Sequence, residues 1–192
     1  MTNTRKLYAD LKDELLLTRD QIAKRVKELG KQITRDYEGK DPMCICILKG
    51  ACVFYVDLCR EIDLPISMDF MVISSYGSAT KTSGVVRIVK DLDRPVLDRD
   101  VLIIEDIVDS GMTLSFLKEN LLQRGARSIR IVTLMDKPER RRTSLHVDYV
   151  GFNIPNEFVV GYGLDYDEKY RNLPDIGILR PEIYEQAAEE KP

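Results

Sequence analysis

The chain has 192 residues, and its 29 Lys and Arg against 32 Asp and Glu leave a formal net charge of −3. Hydrophobic residues make up 44% and charged residues 32%, a balance that excludes a disordered chain and suits one soluble domain with a sizeable core. The acidic total argues against broad attachment to nucleic acid or anionic lipid, although a local pocket can still be positive enough for a small anion.

The N-terminal stretch MTNTRKLYADLKDELLL lacks the unbroken apolar run of a signal peptide. Nothing in the chain approaches the roughly 18 consecutive apolar residues of a membrane helix. A cytoplasmic protein is expected. Cys44, Cys46, Cys52 and Cys59 lie in one apolar region, and the only histidine is His146. That spacing fits reduced core thiols better than a zinc site.

Thr18 and Gln21 have capping-box spacing, and Ile22, Val26, Leu29, Ile33 and Tyr37 follow at helical intervals. A helix over about 19–37 is predicted. The apolar run Met43 to Leu48 suits a strand buried on both faces. Lys49-Gly50-Ala51 turns the chain, and a helix over about 53–62 follows. Residues 68–73 and 85–89 read as strands flanking a small, polar arm. Val101 to Ile104 is the clearest buried strand, ending in Glu105-Asp106. Leu114 to Arg124 reads as a helix stopped by Gly125. Strands are predicted at 129–135, 147–152 and 158–160, and from Pro181 a short acidic helix or a frayed end. Alternating strands and helices give an α/β fold with a mainly parallel central sheet flanked by helices.

Ligands of open α/β sheets bind beyond the carboxyl ends of the strands. Glu105 and Asp106 stand there, and two adjacent carboxylates are costly if merely packed inside. They suit ligand hydroxyls or a divalent cation. Asp109-Ser110-Gly111-Met112-Thr113 then opens a helix, where backbone N–H groups, two hydroxyls and a permissive glycine form an anion cradle. Read blandly, the segment is strand, turn and helix, with Ser110 or Thr113 as the cap. A sugar phosphate would use both its hydroxyl-binding and its phosphate-binding end. No Walker A or G-x-G-x-x-G pattern occurs.

The run VLIIEDIVDSGMTL resembles the phosphoribosyl-pyrophosphate (PRPP) signature of type I phosphoribosyltransferases. Leu48-Lys49-Gly50-Ala51, Ser75-Tyr76-Gly77, Met135-Asp136-Lys137-Pro138 and FVVGYGLDYDEKYRNLP, from Phe158 to Pro174, resemble in order the hypoxanthine-guanine phosphoribosyltransferases. The resemblance spans residues 18–180 or so. It implies the type I phosphoribosyltransferase fold over 1–192, with a small hood lobe built from the N- and C-terminal segments and a hairpin lid at about 74–86. It also implies purine salvage: Mg²⁺-dependent transfer of a phosphoribosyl group from PRPP to hypoxanthine or guanine, giving IMP or GMP and pyrophosphate.

The site roles follow from the same resemblance. Glu105 and Asp106 would hold the ribose hydroxyls, directly or through Mg²⁺. Asp109 would be the proton partner of the base at N7, and Ser110, Gly111, Met112 and Thr113 the 5′-phosphate cradle. Lys49, Gly50 and Arg171 would meet pyrophosphate. Lys137 would donate to the purine 6-oxo group, Phe158 would stack on the base and Val159 would contact its edge. Asp165 would meet one magnesium ion, and Ser75 and Tyr76 would belong to the lid. Asp167 and Glu168 would face solvent, and Arg140, Arg141 and Arg142 would be surface or subunit-contact residues. Family members are dimers or tetramers, so a homo-oligomer without nucleic-acid or membrane partners is expected.

Two departures stand out against many relatives. Ala51 replaces a second glycine and adds a methyl to the pyrophosphate loop, and Met112 replaces a Lys or Arg near the 5′-phosphate. Two other readings compete. One is an RNA-binding regulator on the same fold, which the acidic pI disfavours. The other is a phosphoribosyltransferase for another base, with xanthine still open.

Overall fold

In the computed structural model, which describes residues 6–75 and 86–189, two sheets organise the chain. The main sheet contains β2 (Met43–Leu48), β3 (Ser67–Ser75), β4 (Val86–Lys90), β5 (Asp100–Val108), β6 (Ser128–Asp136) and β7 (Tyr149–Asn153). Its order is β4-β3-β2-β5-β6-β7, parallel throughout except for the edge strand β4, which runs antiparallel to β3.

Helices cover both faces, and strand alternation decides which side chain meets which. Cys44, Cys46, Leu102 and Ile104 pack in one core with Ile22, Val26 and Leu29 of α1 (Arg19–Asp36) and Phe54 and Leu58 of α2 (Cys52–Glu61). Ile45, Ile47, Val101 and Ile103 point the other way, onto Leu114, Leu117 and Leu121 of α3 (Met112–Gln123). Burial on both faces is why these strands read as unbroken apolar runs rather than alternating ones.

The predicted capping box is formed. Thr18 Oγ1 accepts from Gln21 N at 3.3 Å, and Gln21 Oε1 accepts from Thr18 N at 2.8 Å. Gly125, at φ 86°, ends the stretch after α3 in the left-handed region, as a glycine stop should. No described helix is long and apolar enough to cross a membrane.

Of the second sheet, the sequence pattern predicts only the strand at 158–160. β1 (Leu11–Leu17) pairs with β9 (Ile176–Leu179), which pairs with β8 (Val159–Val160), all antiparallel. It joins the two ends of the chain, and Tyr170 Oη donates to Asp10 Oδ2 at 2.8 Å beside it. β1 carries Lys12, Asp13 and Glu14 in succession, which hides any period-2 signal. α4 (Pro181–Glu189) follows β9.

Two further expectations are corrected. β5 does not end at Glu105-Asp106 but runs on to Val108, because Glu105, Ile107 and Val108 still pair with Thr133, Met135 and Asp136 of β6. The cap residue of α3 is neither Ser110 nor Thr113, although Ser110 Oγ accepts the Met112 N–H at 3.5 Å. Gly111 is the cap residue, at φ 80°, where its lack of a Cβ permits the left-handed turn.

Candidate active site

The carboxyl end of the main sheet opens into a cleft of about 270 Å³. Gly50, Glu105, Asp106, Asp109, Ser110, Gly111 and Thr113 line it, whereas Met112 is not on its wall. Residues far apart in the chain thus meet because β2 and β5 are parallel neighbours. The parallel register puts the loops after both strands at the same edge.

Glu105 and Asp106 form a close acidic pair. Asp106 N donates to Glu105 Oε1 at 3.3 Å, and Ile107 N donates to Asp106 Oδ1 at 2.7 Å. Burial lifts the Glu105 carboxyl well above its ordinary value, and the neighbouring Asp106 charge lifts it further. Burial also raises Asp106, against the opposing pull of Glu105's hydrogen bond, the Ile107 N–H and the more distant Arg171 charge. Among the described residues neither carboxylate forms an ion pair. A buried pair of hard oxygen donors with raised proton affinity and no direct cationic partner is the chemistry that accepts Mg²⁺, which usually takes one or two carboxylates and completes its shell with water and phosphate oxygens. No cluster of three or more His, Cys, Asp or Glu that could hold a metal occurs among the described residues. Asp165 in particular is engaged by Arg171 Nη2 at 2.9 Å and by the Glu168 N–H at 2.9 Å.

Gly50 is packed under Asp106: a Cβ there would collide with Asp106 Oδ2. Gly163, at φ 103°, leans in turn on the Gly50 carbonyl, where a Cβ would also collide. Close backbone approach therefore locks the 49–51 turn between β5 and the 161–165 turn. The Leu48–Lys49 peptide is cis. Ala51 is fully buried in the core beside α2, so the extra methyl faces the core and not the cleft.

The 137–142 loop closes the other side. Lys137 N donates to Val108 O at 3.0 Å, and Arg142 N donates to Ser110 O at 2.9 Å. Lys137 Nζ reaches Glu157 O at 2.7 Å, next to Phe158. Burial lowers the Lys137 ammonium below the usual lysine value, although Asp109 and Glu157 pull it back up. Phe158 is 40% exposed; its ring stacks on Tyr184 of α4 at 5.1 Å and meets Tyr166 edge-on at 5.7 Å. Val159 is buried in β8 opposite Ile178.

The arginine run is not simply surface. Arg140 Nε donates to Asp109 Oδ1 at 2.6 Å. Arg141 is mostly buried and ion-paired with Asp136, and its Nη1 has no partner among the described residues. The same guanidinium and the Thr143 hydroxyl stand against Gly111, where a Cβ would press on both. Arg140 and Arg142 are exposed, and Arg141 alone of the three is turned inward. A run of like charges ordinarily signals a solvated face, and nothing in its spacing tells Arg141 from its neighbours. Tyr76 lies outside the described residues; Ser75 ends β3, where it pairs with Val86.

A phosphoribosyl transferase domain matches residues 14–167. The chain belongs to the phosphoribosyltransferase family. Within that family it is 52% identical to the hypoxanthine-guanine phosphoribosyltransferase of Streptococcus thermophilus, over 93% of this chain and 98% of that protein. It is 54% identical over 173 residues to the bifunctional protein TilS/HprT of Listeria innocua, where the match takes in 90% of this chain but only 27% of the longer relative. Its fold superimposes on a Staphylococcus aureus hypoxanthine phosphoribosyltransferase with a TM-score of 0.91, at 51% identity, covering 94% of this chain and 98% of that one. These similarities place the chain in the hypoxanthine-guanine branch of phosphoribosyltransferase enzymes, on the type I fold.

Proposed function

We propose that this chain transfers the 5-phosphoribosyl group of PRPP to hypoxanthine or guanine, forming IMP or GMP and pyrophosphate for purine salvage. The observation that carries the reading is the single cleft in which Glu105, Asp106 and Asp109 face the Ser110–Thr113 turn at the start of α3. The backbone N–H groups of that turn, with the helix start behind them, bind the 5′-phosphate. Glu105 and Asp106 hold the ribose hydroxyls and would hold a magnesium ion. When bound, that ion neutralises charge on the departing pyrophosphate. Asp165 would reach a magnesium ion through water while keeping Arg171.

In the transfer, N9 of the purine attacks C1′ while the bond from C1′ to the pyrophosphate oxygen breaks. Positive charge develops on the ribosyl group, and the carboxylates of Glu105, Asp106 and Asp109 stabilise it. The proton shed by the base passes to Asp109 at Oδ2, because Arg140 occupies Oδ1. Lys137 donates to the 6-oxo group, which favours oxopurines over adenine. Phe158 stacks on the base, and Val159 contributes backbone contacts to the base edge. Lys49, Gly50 and Arg171 receive pyrophosphate, and Ser75 and Tyr76 belong to a lid that keeps water from the cation. The terminal sheet of β1, β9 and β8 serves as the hood.

A steady-state assay with PRPP, Mg²⁺ and each of hypoxanthine, guanine, xanthine and adenine tests the reading. Turnover of the oxopurines and none of adenine is expected; no nucleotide from any base overturns it. The family resemblance further supports a cytoplasmic homodimer or homotetramer, which light scattering would size.

A further inference from the structure

Four charged side chains around the 49–51 turn are joined in one network. Lys49 Nζ lies 3.1 Å from both carboxylate oxygens of Glu168. Arg171 reaches Asp165 Oδ1 at 2.9 Å and Glu168 Oε2 at 3.5 Å through Nη2, and donates from Nη1 to Gly163 O at 2.8 Å. Its Nε is buried with no partner among the described residues. Glu168 is thus far from a plain solvent-facing acid, although its side chain is 66% exposed.

The backbone presents this carboxylate. Asp167 and Glu168 both take left-handed φ values, 51° and 60°, which non-glycine residues adopt only when the surroundings hold them there. Asp165 Oδ2 does so by accepting the Glu168 N–H at 2.9 Å. Gly163 resting on the Gly50 carbonyl fixes this turn against the Lys49 turn. The two cations and the carboxylate between them therefore sit on two segments that cannot drift apart.

A carboxylate held between an ammonium and a guanidinium has the charge and the paired oxygens of a phosphate group. We propose that Glu168 is a built-in competitor for the pyrophosphate group of PRPP and for free pyrophosphate. It occupies Lys49 and Arg171 while the site is empty, yields them to the incoming diphosphate, and reclaims them as the product leaves. The idea rests on the reading that Lys49 and Arg171 receive pyrophosphate. The exchange is light because the Lys49–Glu168 pair is solvated, and pairs of that kind contribute little. A weak competitor suits a site that must also release its product, a step that often limits turnover.

The test is Glu168→Gln, which keeps the side-chain length and the backbone N–H to Asp165 but removes the charge. Calorimetric binding of Mg²⁺-pyrophosphate, with product-inhibition constants from the transfer assay, is the readout. Pyrophosphate should bind about 3–10-fold tighter than in the parent chain, the size expected for releasing exposed ion pairs. The KM for PRPP should fall with it, and the KM for the purine should not move. In Lys49→Gln/Glu168→Gln the gain should largely vanish, since the two effects act through one contact. Unchanged or weaker pyrophosphate binding in a folded Glu168→Gln protein overturns the proposal, provided Lys49→Gln alone weakens that binding. If neither Lys49→Gln nor Arg171→Gln weakens it, the underlying assignment of the pyrophosphate site falls, and the proposal with it.

Discussion

Arg140 Nε donates to Asp109 Oδ1 at 2.6 Å, an ion pair on the rim of the cleft with each side chain nearly half exposed. It fixes one carboxylate oxygen and leaves the other for a ligand. Asp109→Ala should lower kcat by ~10²–10⁴-fold, the usual worth of one positioned base, with little loss of stability. Arg140→Ala removes only a solvated pair and should change the unfolding free energy by less than about 1 kcal/mol. Steady-state kinetics and urea titration of both variants would check this, and unchanged turnover in Asp109→Ala would remove it from the reaction.

The acidic pair sets a pH dependence of stability. Burial raises both carboxyls above their unfolded values. Between the unfolded and folded values the native state holds more protons, so stability falls as pH rises through that window. Below it both states are protonated and the penalty is absent. Glu105→Gln/Asp106→Asn should therefore stabilise the ligand-free protein at neutral pH by about 1 kcal/mol or more, roughly 2–4 °C in Tm, while abolishing activity. The gain should shrink in acid. Scanning calorimetry across pH would show both trends, and Mg²⁺ with PRPP should stabilise the parent chain and not the double variant.

Lys137 must be protonated to favour a 6-oxo group, and burial moves its titration below the ordinary lysine value. Oxopurine kcat/KM should thus fall on the alkaline side earlier than a free lysine would dictate. Lys137→Gln should flatten that limb and raise the KM for hypoxanthine about 10-fold or more, the worth of a lost hydrogen bond from a charged donor. A pH profile identical in parent and variant would place the limb on another group.

Arg141 and Asp136 form a mostly buried pair behind the Ser110–Thr113 turn. Arg141→Ala would leave the Asp136 carboxylate buried without its cation, and should cost about 3–5 kcal/mol. Arg141→Met/Asp136→Leu should recover most of that stability. Because the guanidinium also backs Gly111, the double variant should still bind PRPP poorly. Urea unfolding gives the first two results and calorimetry with PRPP the third.

Local chemistry in the sequence determined most of the main sheet. The apolar runs of β2, β5 and β6, the Thr18 capping box and the stop at Gly125 each follow from neighbours a few residues away. The cluster from Glu105 to Thr113 was legible for the same reason: strand end, acids, turn and helix start are contiguous. β1 and β9 were hidden because they pair across about 160 residues and three of the seven residues of β1 are charged. The roles of charged side chains followed the same divide. Composition places Arg141 and Glu168 at the surface. Tertiary structure buries Arg141, because the 137–142 loop folds it back onto Asp136 at the end of β6, and it leaves Glu168 exposed but pairs it with Lys49, 119 residues away in the chain: a charge settles where the fold brings the opposite one within reach.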